Sequence, residues 1–268
     1  MIEPGADDAF DAVALAEQRY ADWPEGVRAN MVMSLDGAAV FQGKVRPLSS
    51  RTDQRLFHAL RAMADVILVG AGTARVEQYG PAILDDELTA LRKRQLGPSA
   101  APAPHIAMVT RTCSVPATAL AAESDLRPLV ITTERADATS VTGHADVIAA
   151  GDEEIDFAEA IGGLRARGFR RILCEGGPTL LAALTAAGLV EELCLTLAPV
   201  LTAEPAGVGA GAAAEGTNLL PVPVRATLRH SVAHDDHLFL RYVTRSIGRA
   251  GRDDPPSPAP VSGDREVR

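Results

Sequence analysis

A chain of 268 residues suffices for one large α/β domain or two small ones, and its 47% hydrophobic and 23% charged residues are the balance of a globular protein. Its net charge of -9 argues against nucleic acid as a partner, since unspecific binding rests on phosphate neutralisation by Lys and Arg. No apolar run reaches the ~18 residues of a membrane span, and the acidic N-terminus (Glu3, Asp7, Asp8, Asp11) has no signal-peptide character. The cysteines Cys113, Cys174 and Cys194 are spaced neither as zinc ligands nor as a redox pair. A cytoplasmic protein is expected, with Cys174 and Cys194 as core residues in strands.

Residues 1–26 read as a loose, partly helical lead-in, 27–245 as the folded domain, and the Pro-rich, charged 246–268 as a disordered tail. Val27, Ala29, Met31 and Met33 alternate as in a strand, which runs into Ser34-Leu35-Asp36-Gly37. Leu56, Phe57, Leu60 and Ala64 form a helical stripe. "DVILVG" at 65–70 is a continuous apolar run closed by Gly, as in a strand buried on both faces. The runs at 105–110, 128–133, 145–150, 170–175 and 192–201 repeat the theme, while 94–104 reads as a surface loop. Helical patterns occupy 157–168 and the stretch from Pro178 to Gly188. Two late strands, around 225–232 and 237–243, flank His234-Asp235-Asp236-His237 as a hairpin. This order predicts an α/β fold: a mostly parallel central sheet, helices on both faces, and an antiparallel C-terminal hairpin.

Three segments can carry chemistry. In Cys174-Glu175-Gly176-Gly177-Pro178-Thr179-Leu180 a strand passes through two glycines into a helix. Such a turn lets a ligand approach the backbone, and the free N–H groups of the helix start favour an anion; a tight turn with an acidic lip is the plainer alternative. A second Gly-rich turn, with Gly70, Gly72 and Thr73, follows another buried strand. If the two strands are neighbours, the turns flank one crevice, as a pyrophosphate requires. The third segment, Asn30 to Gly37, brings Asp36 to a strand end, either to orient a substrate and assist proton transfer or only to cap a turn. Arg61 is a phosphate ligand or an ion-pair partner. The His234–His237 pair reads as a hairpin turn, and no metal site is expected.

The ordered set "ANMVMSLDGA", "LSSRTDQRLFHALRAMADVILVGAGTARVEQYGP" and "RRILCEGGPTLLAALTAAGLVEELCLTLAPVL" resembles the RibD C-terminal, or pyrimidine reductase, family over residues 27–243. The resemblance implies a dihydrofolate-reductase-like fold, a homodimer paired through its late strands (Leu193–Leu201, Leu238–Val243), and NADPH as cofactor. The implied reaction reduces 5-amino-6-(5-phosphoribosylamino)uracil to the ribitylamino compound, with hydride passing from nicotinamide C4 to ribose C1′. By the same likeness Ser34, Ser49, Thr73, Glu77 and Gly176–Leu180 (Gly176, Gly177, Pro178, Thr179, Leu180) are cofactor positions, and the second Gly-rich turn adds Gly70 and Gly72 as candidates. Arg111, at the end of the 105–110 strand, is the candidate reader of the 2′-phosphate. Asn30, Asp36, Arg61 and Glu175 are substrate positions, with Asp36 and Glu175 as candidate acids or orienting groups. The zinc-deaminase motifs of the bifunctional family members do not occur here, so deamination is expected elsewhere. No Arg lies between Arg171 and Arg225, so the stretch after "LAPVL" departs from the family's basic loop. A reductase of another pyrimidine or a pterin such as dihydrofolate, and a nucleotide-binding protein without turnover, are the alternatives.

Overall fold

The computed structural model describes residues 10–120, 126–204 and 222–244. The tail expected at 246–268 and residues 205–217 of the divergent loop lie outside them. The chain opens with α1 (Ala12–Arg19) and β1 (Gly26–Met33), then α2 (Arg51–Ala62), β2 (Val66–Gly70), α3 (Ala71–Val76) and α4 (Asp86–Leu96). There follow β3 (His105–Val109), α5 (Ala117–Leu120), β4 (Leu129–Thr132), α6 (Thr139–Thr142) and β5 (Asp146–Ala149). The remainder is α7 (Phe157–Ala166), β6 (Arg171–Cys174), α8 (Pro178–Ala186), β7 (Val190–Leu197), β8 (Ala226–His234) and β9 (His237–Thr244).

The nine strands form one sheet in the order β5-β4-β3-β2-β6-β1-β7-β9-β8. The first seven positions in that order are parallel; β9 runs antiparallel to both β7 and β8. Strand periodicity sends alternate residues of β2 to opposite faces. Val66 and Leu68 join Ile161, Leu164, Leu180 and Leu184 of α7 and α8, whereas Ile67 and Val69 join Met108, Val130, Ala119 and Val141. Helices therefore cover both faces, as the continuous apolar runs predict. The hairpin turn is closed by Asp235 and Asp236, both at positive φ, the backbone of a two-residue strand connection.

Two expectations change. The described part of the lead-in, residues 10–26, is not loose: Val13, Ala16, Tyr20 and Trp23 are buried in a cluster with Leu60, Leu91 and Phe239, so α1 and the chain after it pack with α2 and α4 against one face of the sheet. Asp11 caps α1 by accepting from the Val13 and Ala14 N–H groups at 2.9 and 3.0 Å. The 94–104 stretch is only partly a loop, because α4 extends to Leu96. The late strands β7 and β9, which the sequence offers as dimer surfaces, are each flanked on both sides, and β8 is the edge. What β7 and β9 offer is a face: Leu195, Leu197, Leu238 and Leu240 lie half-buried on the side opposite the core residues Cys194 and Phe239.

β1 also carries a buried charge. Arg28 is fully buried, and its guanidinium meets Glu192 of β7 at 2.5 Å and donates to the Tyr20 carbonyl at 2.9 Å. Arg241 of β9 also pairs with Glu192 and reaches Asp22. Buried charge persists only when paired and hydrogen-bonded, and this network supplies both.

Candidate active site

In an open α/β sheet, ligands bind beyond the carboxyl ends of the strands. Here β2 and β6 end beside β1, which runs on past its last β6 partner at Ala29, and a cleft of about 770 Å³ opens against α2, α3 and the start of α8. Among the sequence-predicted residues, Asn30, Ser49, Arg61, Gly72, Thr73, Glu77, Glu175, Gly177 and Pro178 line it.

The two glycine turns adjoin because β2 and β6 pair in parallel. The Gly70 N–H donates to the Gly176 carbonyl at 2.7 Å and the Glu175 N–H to the Leu68 carbonyl at 3.0 Å. Gly176 has a φ of 78°, a backbone that side chains resist, and the Gly176–Gly177 peptide is cis. A Cβ on Gly177 would stand 2.5 Å from the Thr73 hydroxyl of α3. Gly177 is the N-cap of α8 without a side-chain cap, and Pro178 follows at the first position. The first internal bond of α8 runs from the Leu181 N–H to the Gly177 carbonyl at 3.0 Å, so the Thr179 and Leu180 N–H groups precede it. The Leu180 side chain is in the core, leaving only its backbone for a ligand. Above Gly72 a Cβ would meet nothing within 4 Å. This is a backbone surface with open space, flanked by N–H donors and the Thr73 hydroxyl. Its chemistry fits the pyrophosphate of a dinucleotide.

Behind the glycine turn, Glu175 is buried among three donors. Arg61 of α2 donates through Nε and a terminal nitrogen at 2.7 and 2.6 Å, and the Tyr79 hydroxyl donates at 2.6 Å. Burial works against the Arg61 charge, but the Glu175 carboxylate outweighs it and holds the guanidinium more basic than usual. Burial, then the same carboxylate, pushes the Tyr79 hydroxyl well above its ordinary value. The Arg61 guanidinium also stacks on Phe57, 4.2 Å from the ring centroid. Of the two roles considered for Arg61, the ion pair is formed; Tyr79 and Phe57 were not singled out from the sequence.

Asp36 lies apart from the cleft-lining residues. It accepts from the Ser34 hydroxyl and from the Thr202 and Ala203 N–H groups at 2.9 and 2.8 Å. These bonds, the Ser34 hydroxyl first, hold its carboxyl at about 2. It tethers the turn after β7. Ser34 is buried in the turn after β1, accepting from the Ala38 N–H at 2.8 Å. Arg111 projects from the end of β3, exposed, and meets the exposed Glu154 at 2.8 Å.

Sequence reasoning missed Asp53. It stands on the buried stripe of α2 with Leu56 and Leu60, is 7% exposed, and lines the cleft. Its carboxylate accepts from the Ser49 hydroxyl at 2.5 Å. Burial raises its pKa, opposed by the Ser49 and Thr196 hydroxyls and by His237. The signal was an acid at i, where Leu56 and Leu60 occupy i+3 and i+7 of the apolar stripe.

Among the described residues no group of three or more His, Cys, Asp or Glu is arranged to hold a metal, and no helix is long and apolar enough to cross a membrane.

The sequence pattern of the RibD C-terminal domain matches residues 25–235. A protein of Archaeoglobus fulgidus named 2,5-diamino-6-ribosylamino-4(3H)-pyrimidinone 5′-phosphate reductase is 29% identical over 178 residues, 65% of this chain and 80% of the relative. Its namesake from Methanothermobacter thermautotrophicus is 25% identical over 225 residues, 81% of this chain and 96% of the relative. The crystal structure of a pyrimidine reductase-like protein from Corynebacterium diphtheriae superposes with a TM-score of 0.71 at 26% identity, covering 88% of this chain and 96% of that one. The sheet order, the covering helices and the C-terminal hairpin are the dihydrofolate-reductase-like arrangement expected from the sequence. With its family pattern spanning most of the domain, the chain belongs to the RibD C-terminal domain family.

Proposed function

We propose that the chain is an NADPH-dependent oxidoreductase that reduces a 5-phosphoribosylamino-pyrimidine at ribose C1′, giving the ribitylamino compound. The observation that carries this reading is the junction of the two glycine turns, Gly70–Thr73 and Gly176–Pro178, at one lip of a cleft. The names of the archaeal relatives support the same reaction class. Two ring forms qualify: 5-amino-6-(5-phosphoribosylamino)uracil and its 2-amino counterpart, the 2,5-diaminopyrimidinone.

The cofactor residues are those of the glycine cradle, with Thr73, Ser49 and Glu77 beside it and Arg111 as reader of the 2′-phosphate. When bound, NADPH supplies the hydride for the reduction. The protein orients and desolvates. Glu175, paired with Arg61 and held by Tyr79, gives the cleft a rigid polar wall. Asn30 of β1, just past that strand's last partner on β6, offers an amide donor and acceptor. Asp36 fixes the turn that borders β1 and β7. The half-buried leucines of β7 and β9 support a homodimer through that sheet face, which light scattering checks.

The test is incubation of the purified chain with NADPH and either phosphoribosylaminopyrimidine, followed by mass spectrometry. The reading expects a product heavier by one hydride and one proton, with NADPH consumed in equal amount. Nucleotide binding without any product would favour the non-enzymatic alternative.

A further inference from the structure

His58 is unused by the chemistry described so far. On α2, Asp53, Gln54, Phe57, His58 and Arg61 line the cleft, spaced as one face of a helix. The glycine cradle is a different wall of the same cleft. A substrate between the two turns one side to a hydride donor held on the cradle and the other to α2. His58 is half-buried, and its ring packs edge-on against Phe57 with centroids 5.4 Å apart. Among the described residues its ring has no hydrogen-bond partner. The charges that act on it are the buried pair Arg61–Glu175 and the more exposed pair Arg55–Asp85. Other groups that could give a proton are engaged. Tyr79 donates to Glu175 and is pushed well above its ordinary pKa, and Arg61 is more basic than usual. Glu175 accepts three hydrogen bonds, and Asp53 accepts from the Ser49 and Thr196 hydroxyls. Among the described cleft residues only His58 carries an imidazole, the side chain that titrates near neutral pH unaided.

From this geometry we infer that His58 is the acid that opens the ribosylamino sugar, giving its proton to the ring oxygen O4′. The inference rests on the reductase reading of the cleft and supplies the proton that this reading leaves unassigned. A closed furanose has no electrophilic C=N bond to reduce. As the C1′–O4′ bond breaks, the lone pair of the exocyclic nitrogen forms C1′=N and O4′ takes the proton from His58. The product of this step is an open-chain iminium with a free 4′-hydroxyl, and its positive charge balances the proton taken up. Hydride at C1′ then gives the ribityl amine. The imidazole, left neutral, regains a proton from water at the cleft mouth. Without an acid, O4′ would leave as an alkoxide, a far poorer leaving group. Burial, then the Arg61 charge, lowers the His58 pKa; Glu175 and Asp85 oppose the shift and Arg55 adds to it. The imidazolium is thus a stronger acid than a free one, and the step should be fastest on the acid side of the ordinary imidazole range.

Ring opening interconverts the two configurations at C1′, so it can be read without cofactor. The experiment measures exchange between the two anomers by nuclear magnetic resonance, with the full chain in catalytic amount. The probes are 5-amino-6-(5-phosphoribosylamino)uracil and its 2-amino counterpart, and turnover with NADPH is read alongside. The wild type should speed the exchange over a protein-free control, and the gain should fall as pH rises through about 6.5 and below it. His58→Gln keeps a hydrogen-bond donor that cannot give up its proton. It should slow exchange and turnover by about a hundredfold or more and lose the pH dependence, with calorimetric affinity for the probes nearly unchanged. No acceleration by the wild type, or a gain that does not vary with pH, overturns the inference even if the variant fails to fold. Unchanged exchange in a folded His58→Gln protein, its fold checked by circular dichroism, overturns it as well. Exchange that needs His58, with no reduction when NADPH is added, would uphold the acid and refute the reductase reading. Reduction at full rate in His58→Gln would do the reverse.

Discussion

Replacing Glu175 by Gln removes one charge from the buried Arg61–Glu175–Tyr79 group and keeps its shape. The Glu175 side chain is 2% exposed and that of Arg61 16%, so neither charge is left to water. The carboxylate receives three hydrogen bonds of 2.6–2.7 Å. A Gln offers one acceptor oxygen, and its amide group turns a donor toward donors. Breaking a buried pair by removing one partner costs about 3–5 kcal/mol, because the other charge stays uncompensated. In a domain of this size each kcal/mol lowers Tm by roughly 2–4 °C, so the fall should be roughly 6–20 °C. Urea unfolding followed by circular dichroism measures it directly, with the midpoint falling and the slope unchanged. Tyr79→Phe loses one bond to the same carboxylate and should cost less, about 1.5–3 kcal/mol. A Glu175→Gln protein within about 0.5 kcal/mol of wild type, the range of ordinary surface changes, would refute the claim that this group is paired and desolvated.

Gly177→Val should leave the fold intact and abolish NADPH binding, since its side chain fills the cradle against Thr73; normal affinity in calorimetry would remove the pyrophosphate site from the account. Arg111→Ser should weaken NADPH binding about tenfold or more while leaving NADH unchanged, because the exposed pair with Glu154 contributes little and leaves the guanidinium free to engage a phosphate. Equal loss for both cofactors would assign the 2′-phosphate to another residue. Asp36→Ala should speed hydrogen exchange at the Thr202 and Ala203 amides. Because the folded pKa of Asp36 lies below its unfolded value, the wild-type tether should be fully present above the ordinary carboxylate range. It should be lost as pH falls through about 2. Exchange at these amides that is unchanged by both the substitution and acid would show that Asp36 does not hold the turn.

The sheet and the cradle were legible because they depend on short-range signals. Apolar runs closed by glycine, such as 65–70, mark buried parallel strands, and Gly176-Gly177-Pro178 marks a strand running straight into a helix. What escaped depends on distant partners. Asp36 reads as a candidate acid or orienting group, but its bonds to Thr202 and Ala203, far along the chain, have no local signal. The burial of Arg28 likewise depends on a distant partner, Glu192 of β7. The buried stripe of Val13, Ala16 and Tyr20 is present in the sequence, but small residues and flanking acids gave it the look of a loose lead-in. Asp53 was passed over because an acid near a helix start usually only caps.

The most direct measurement of the central claim uses NADPH deuterated at nicotinamide C4, with the two phosphoribosylaminopyrimidines supplied in separate reactions. Nuclear magnetic resonance of the product reads where the deuterium goes. The account predicts deuterium on C1′ of a ribitylamino chain, with one product formed for each cofactor oxidised. Cofactor binding with no deuterium transferred to either compound, or transfer to a pterin ring alone, would contradict it.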